Sequence, residues 1–285
     1  MDFLEDLQHR ILPADGAMGT ELFAAGVSRD RCLEELCVSA PELVLRVHAS
    51  YLAAGARLVK TNSFGANAAR LARHGLEHRV SEINWTAAQL AKEAAKESRA
   101  HVAGSVGPLG AASGVDRHEL FLEQIGALLD GGAGVILLET FTDLGELTVA
   151  LNAKHTLHHC PVIASVACRE DARLLDGLAL GEAFARLRDA GADVVGVNCT
   201  AITPALLDAL PEPDDDTLLA AIPSAGLPLD RDGRLHYPVT PEQFARDGVA
   251  LAERGVRLIG GCCGAGPTHI AALVAALSQA GLISS

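Results

Sequence analysis

Residues 131–140 read GGAGVILLET: two glycines, a short step, four consecutive large apolar residues, then a carboxylate and a hydroxyl. An apolar run of this length suits a strand covered on both faces. Glycine just ahead of it suits the left-handed position that closes a preceding helix. The same phrase recurs at 53–62 (AAGARLVKTN), 189–199 (DAGADVVGVNC) and 253–263 (ERGVRLIGGCC). Each copy predicts a helix end, a tight turn and a buried strand.

Working outward, eight runs rich in Val, Ile, Leu and Ala begin at Ile11, Arg57, His101, Gly134, Pro161, Asp193, Leu218 and Val256. Their spacing of roughly 25 to 45 residues is the length of a strand-helix unit, which implies parallel pairing. Eight such units without a long linker predict an α/β chain forming a single (β/α)8 TIM-type barrel, with 1–285 as one domain. Ser39-Ala-Pro-Glu42 and Thr240-Pro-Glu-Gln243 read as capping boxes, each with proline in the first turn. The helix from about Pro41 to Ala54 is expected to bury Leu43, Val44, Val47, Tyr51 and Leu52 on one face. Pro211–Asp216 and the GVDRHE stretch at 114–119 read as loops.

Composition narrows the function. Only 4% of residues are aromatic although 49% are hydrophobic, so the core is aliphatic. A formal charge of −13 without a basic stripe argues against nucleic acid and anionic lipid as partners. The acidic start, MDFLEDLQHR, is unlike a targeting segment, and no apolar run is long enough to span a membrane. Seven cysteines in such a chain point to reduced thiols or metal rather than a disulfide framework, and a cytoplasmic location is expected.

In a barrel the C-terminal ends of the strands share one mouth, and there the chemically distinctive residues fall. Cys199 ends the sixth run, and Cys262 and Cys263 end the eighth, so three thiols are expected to converge across the seventh. Zinc binds thiolates tetrahedrally at about 2.3 Å, and three protein ligands leave a fourth position for water or substrate. Glycines on either side of Cys262 and Cys263 let both side chains turn to one ion. Cys32, Cys37, Cys160 and Cys168 read as core thiols. A Cys262–Cys263 disulfide would be strained. The eleven histidines show no metal-ligand spacing.

In chain order, DGAMGTEL (15–22), TNSFGAN (61–67), GSVGP (104–108), LLET (137–140), VNCT (197–200) and GGCCG (260–264) resemble the homocysteine S-methyltransferase family over nearly the whole chain. The likeness includes the homocysteine-binding module of cobalamin-dependent methionine synthase. It implies one zinc on Cys199, Cys262 and Cys263, homocysteine sulfur as fourth ligand, and methionine as product. By motif position it places Asp15, Gly16 and Glu139 at the amino-acid end of the substrate. Glu139 is expected to pair with the ammonium, and backbone N–H groups around Ala17 and Met18 to receive the carboxylate. Thr61 and Asn62 either hold their loop or contact the donor, and Asn198 is expected to support the Cys199 turn. Ser224 stands where the family pattern has asparagine, which leaves local hydrogen bonding and donor preference open.

The expected reaction is methyl transfer to the zinc-bound thiolate of homocysteine, zinc serving to hold the sulfur deprotonated. With no room expected for folate, cobalamin or reductase domains, the donor is either a small sulfonium, S-methylmethionine or S-adenosylmethionine, or a separate methylcobalamin or methylfolate carrier protein. Betaine is disfavoured, because one Trp and two Tyr offer little for an aromatic cage. The alternative is a module that binds homocysteine without turnover on its own and presents the thiolate to such a carrier. A phosphate cradle after the last two strands is the weakest reading, since cysteines contribute nothing to it.

Overall fold

A computed structural model describes residues 2–110, 114–157, 159–212, 217–231 and 234–283. Part of the expected 211–216 loop, residues 213–216, therefore lies outside the described residues. The barrel strands are β1 (Leu12–Pro13), β2 (Leu58–Lys60), β3 (His101–Val106), β4 (Val135–Phe141), β5 (Val162–Val166), β6 (Val194–Asn198), β7 (Leu218–Ile222) and β10 (Leu258–Ile259). They pair in parallel in the order β1-β10-β7-β6-β5-β4-β3-β2. A parallel bridge from Ala14 to Leu58 joins the two ends of that order, so the sheet closes as the eight apolar runs predict.

Each barrel strand is followed by a helix that covers it, from Pro41–Ala53 after β1 to Pro267–Gln279 after β10. The four junction glycines, Gly55, Gly132, Gly191 and Gly255, all have φ between 86° and 99°. A Cβ there would strain the chain reversal, which is why the phrase repeats. Thr240 caps helix Pro241–Glu253 by accepting from Gln243 N, while the Gln243 side chain turns to Asp247 instead of back to the cap.

Three expectations need correction. Ser39 caps nothing: it ends a short helix of its own, Leu36–Ser39, and its hydroxyl donates to Glu35, so helix Pro41–Ala53 starts from Ala40 without a side-chain cap. Its buried face is Val44, Val47, His48 and Tyr51, with Leu43 and Leu52 only half-buried. The 114–119 stretch is loop only to Asp116, whose carboxylate accepts from His118 N and starts helix Arg117–Asp130. The chain also contains an antiparallel hairpin, β8 (Leu229–Arg231) with β9 (Arg234–His236), inserted between β7 and its covering helix.

Inside the barrel the strand period of two sorts residues by height. Leu12, Leu58, Ala103, Val135, Leu137, Ile163, Val194, Ala220 and Leu258 form one buried cluster with Phe3 and Leu7 of helix Phe3–His9, which closes the N-terminal end. Two residues further along the same inward face come Lys60, Ser105, Glu139 and Ser165, all buried. The apolar floor thus gives way to a polar mouth within one step of the pleat.

Candidate metal and substrate site

Asn198, on the inward face four residues beyond Val194, holds the upper edge together. Its Oδ1 accepts from Thr140 N at 2.7 Å, and its Nδ2 donates to Thr140 Oγ1 at 2.6 Å. Nδ2 also lies 3.4 Å from Glu139 Oε2 and 4.0 Å from Cys262 Sγ. Thr140 and Cys199 both adopt left-handed backbone, at φ 65° and 54°. Such a conformation costs about 1–3 kcal/mol in a residue with a Cβ and persists where neighbours impose it. Here it lets Cys199 leave the strand alternation and turn its thiol into the mouth beside the inward Cys262.

The Cys263 turn is fixed by backbone contacts. Cys262 N donates to Pro223 O, Ala225 N to Cys263 O and Ala265 N to Cys262 O. Gly264 has φ 80° and packs against the ring of Tyr237, which any Cβ would strike. Next along the chain from β7, Ser224 N donates to Thr200 O.

The result is a cluster in which the sulfurs of Cys199, Cys262 and Cys263 lie within 4.8 Å of one another, with Cys199 and Cys263 at 3.6 Å. Two thiolates sharing a tetrahedral zinc stand about 3.8 Å apart, as follows from the bond length of about 2.3 Å. The donor set therefore suits such an ion, and among the described residues this is the one cluster of metal-ligating side chains. All seven cysteines are free thiols. Hydrogen bonds from Cys199 and Cys262 push the Cys263 thiol well below its ordinary range, while the same contacts and burial push Cys199 up.

Beside the thiols lies a buried charged group. Asp15 Oδ2 accepts from Lys60 N at 2.9 Å, and Lys60 Nζ sits 3.2 Å from Asp15 Oδ1 and donates to Gly261 O at 2.9 Å. Oδ1 is nonetheless without an aligned hydrogen bond. Burial raises Asp15 to about 6 against the pull of Lys60. Glu139 accepts from Ser105 Oγ at 2.5 Å, and burial raises its pKa too. Burial opposes the charge on Lys60, but Asp15 and Glu139 outweigh it and raise its pKa, so it stays an ammonium.

At Gly16 a Cβ would strike Ala265 O and the Tyr51 ring, whose hydroxyl is shared between Ala17 O and Ala265 O. Ala17 N donates to Ala265 O, so it is already committed, whereas Met18 opens the short helix Met18–Ala24. Thr61 Oγ1 accepts from Ser105 N and pairs with Ser63, and Asn62 Nδ2 donates to Leu33 O. Both side chains are thus bonded to neighbouring segments of the chain.

Sequence reasoning passed over Lys60 and placed Ser105 at a strand end without giving it a role. The signal was present: a lysine inside LVK and a serine inside HVAGSV are polar interruptions of apolar strands, two residues above inward Leu58 and Ala103.

Fold and site together define a (β/α)8 barrel whose mouth carries a three-thiol cluster that could hold a metal ion, next to a buried group of two carboxylates and one ammonium. A family profile described as homocysteine S-methyltransferase matches residues 12–277, and the chain belongs to that family. It is 31% identical over 303 aligned residues to methionine synthase of Mycobacterium tuberculosis and equally to that of Mycobacterium leprae. Each alignment takes in 98% of this chain and 25% of the relative, so the chain spans about a quarter of these proteins. The metallated form of the homocysteine methyltransferase MmuM from Escherichia coli superposes with a TM-score of 0.77 at 30% identity, covering 93% of this chain and 96% of that one. No helix among the described residues is long and apolar enough to cross a membrane.

Proposed function

We propose that this chain is a zinc-dependent homocysteine S-methyltransferase, which transfers a methyl group to the thiolate of homocysteine and yields methionine. The observation that carries the reading is the thiol cluster of Cys199, Cys262 and Cys263 beside the buried carboxylates Asp15 and Glu139. One half of that mouth suits a sulfur held on a metal, the other an amino-acid ammonium. Family membership and the match to MmuM support homocysteine as the methyl acceptor.

Zinc, held by Cys199, Cys262 and Cys263, would supply a Lewis acid that keeps the substrate thiol deprotonated at neutral pH. Everything else falls to the chain. Glu139, fixed on one oxygen by Ser105, turns its negative charge to the substrate ammonium. Asp15 Oδ1, buried and without an aligned donor, is a second acceptor for the same group. Asn198 holds Glu139, Thr140 and the Cys262 sulfur in one frame, so the amino-acid end and the sulfur end of the substrate are positioned together. Orientation of this kind can contribute several kcal/mol to a displacement at carbon.

The donor divides two forms of this reading. MmuM is matched over 96% of its length, which supports a barrel that is sufficient for turnover with a small sulfonium such as S-methylmethionine or S-adenosylmethionine. The methionine synthases are matched over a quarter of theirs, which favours the second form: a barrel that presents homocysteine to a separate methylcobalamin or methylfolate carrier. Methionine formation by zinc-loaded protein with each donor decides between them. Turnover on a free sulfonium supports the first form, homocysteine binding without turnover on any free donor supports the second, and absence of homocysteine binding refutes both.

A further inference from the structure

The outer wall of the barrel carries a groove remote in kind from the mouth. It runs between the covering helices Val80–Ala95 and Arg117–Asp130, with a volume of about 540 Å³ and an apolar floor that includes Trp85, Leu122 and Gly126. Trp85, the single tryptophan of the chain, is 48% exposed there. One exposed apolar residue is ordinary, but Gly126 beside it is not. It lies in the interior of a helix, where glycine costs about 1 kcal/mol relative to alanine. Its φ is not positive, and a Cβ built on it would meet nothing within 4 Å. Neither packing nor backbone conformation requires glycine at this position, and its effect is to keep the groove open beside Trp85.

Charge decides what the groove fits. Glu82, Glu119, Glu123 and Asp130 line it, and among the described residues no lysine or arginine does. Glu82 is paired with Arg79, and Glu119 lies 3.8 Å from His118 Nδ1, but Glu123 and Asp130 form no ion pair among the described residues. Glu119, Glu123, Gly126 and Asp130 follow one another at helical spacing, so they share one stripe about 16 Å long. A second copy of this chain is a poor occupant. A symmetric contact would set these carboxylates against each other, and a net charge of −13 without a basic stripe offers no complementary face. Nucleic acid and anionic lipid are repelled for the same reason. We infer that this groove is a docking surface for a basic segment of a partner protein. An arginine or lysine of that segment lies on the Trp85 ring, further cations meet Glu123 and Asp130, and an apolar side chain covers Gly126.

The inference is independent of the reaction at the mouth. Its test follows Trp85 emission and calorimetry on the zinc-loaded protein during titration with an amphipathic peptide, whose arginines are spaced to match Glu119, Glu123 and Asp130 with leucines between them. A peptide with glutamate in place of each arginine, and spermine, serve as comparisons. The arginine peptide is expected to change the emission saturably and to bind more weakly as salt is added, and the glutamate peptide not to bind. Gly126→Leu fills the floor and is expected to weaken the arginine peptide about tenfold without lowering stability, because a Cβ there meets no neighbour and leucine is the better helix former. Glu123→Gln with Asp130→Asn is expected to weaken it by about 3- to 10-fold, the worth of two exposed ion pairs. Absence of a saturable emission change would overturn the inference, as would unchanged affinity in either variant or equally tight binding of the glutamate peptide. Spermine bound as tightly as the arginine peptide would make the groove a site for small cations and would overturn the protein partner.

Discussion

The floor and the mouth of this barrel are made by the same strands, on the same inward face, two residues apart. At the floor, Leu58, Ala103, Leu137 and Ile163 pack with Phe3 and Leu7 in a dry cluster. One pleat higher, Lys60, Ser105, Glu139 and Ser165 occupy the equivalent positions, equally buried but polar or charged. The floor needs volume and shape, and substitution there is felt as stability. The mouth needs charge and direction, and it keeps groups that burial disfavours, as the proposed substrate contacts require.

The sharpest way to break the contrast is to remove a ligand at the top. Cys262→Ala is expected to drop zinc from about one per chain to near zero, and turnover below detection, in a folded barrel, because metal affinity depends on the full donor set. Elemental analysis beside circular dichroism reads both. Retention of zinc and rate would end the metal assignment.

A substitution at the floor should do the reverse. Ile163→Ala is expected to destabilise the chain by about 2–5 kcal/mol in chemical denaturation, the cost of a cavity in a packed core. Homocysteine affinity should stay within about twofold of the wild type, since no polar contact is touched. A large loss of affinity without loss of stability would erase the division between the regions.

Glu139→Gln keeps the shape and removes the charge. It should weaken homocysteine binding by about 10- to 100-fold, the worth of a charge-assisted hydrogen bond. Zinc content should hold. Unchanged affinity would take Glu139 out of the substrate contacts.

The smallest effect is one of pH. Asp15 sits above its ordinary range, at about 6, so it is an anion above that pH and neutral below it. Loss of the substrate thiol proton already makes binding tighten as pH rises. Below about 6 the complex must also take a proton off Asp15, so the fall in affinity with falling pH should steepen from about tenfold to about a hundredfold per unit. Zinc content measured in the same samples separates this from metal loss, and Asp15→Asn should abolish the break.

Much of this division was legible in the sequence. The repeated glycine-then-strand phrase predicts the closed barrel, because a left-handed helix end has few substitutes for glycine. The cysteines were visible as a set, since strand order alone brings the ends of β6 and β10 either side of β7. Helix starts were less secure. A Ser-x-x-Glu pattern at Ser39 is the same in sequence whether the hydroxyl caps the next helix or bonds Glu35, and the three-dimensional approach of Glu35 decided it. Nor does sequence show that Cys199 and Thr140 turn left-handed, because that conformation is imposed by Asn198 and neighbouring strands rather than by local preference. Lys60 could have been reached by taking the inward register of Leu58 two residues further. A lysine at a strand end is also able to snorkel to solvent, and only the approach of Asp15 and Gly261 holds it in.

The central claim, that the three thiols hold zinc and leave one position for the substrate sulfur, is tested most directly by zinc X-ray absorption on reconstituted protein with and without L-homocysteine. The account predicts about three sulfur neighbours near 2.3 Å plus one lighter atom without substrate, and about four sulfurs with it. A sulfur count that stays the same when homocysteine is bound would contradict it.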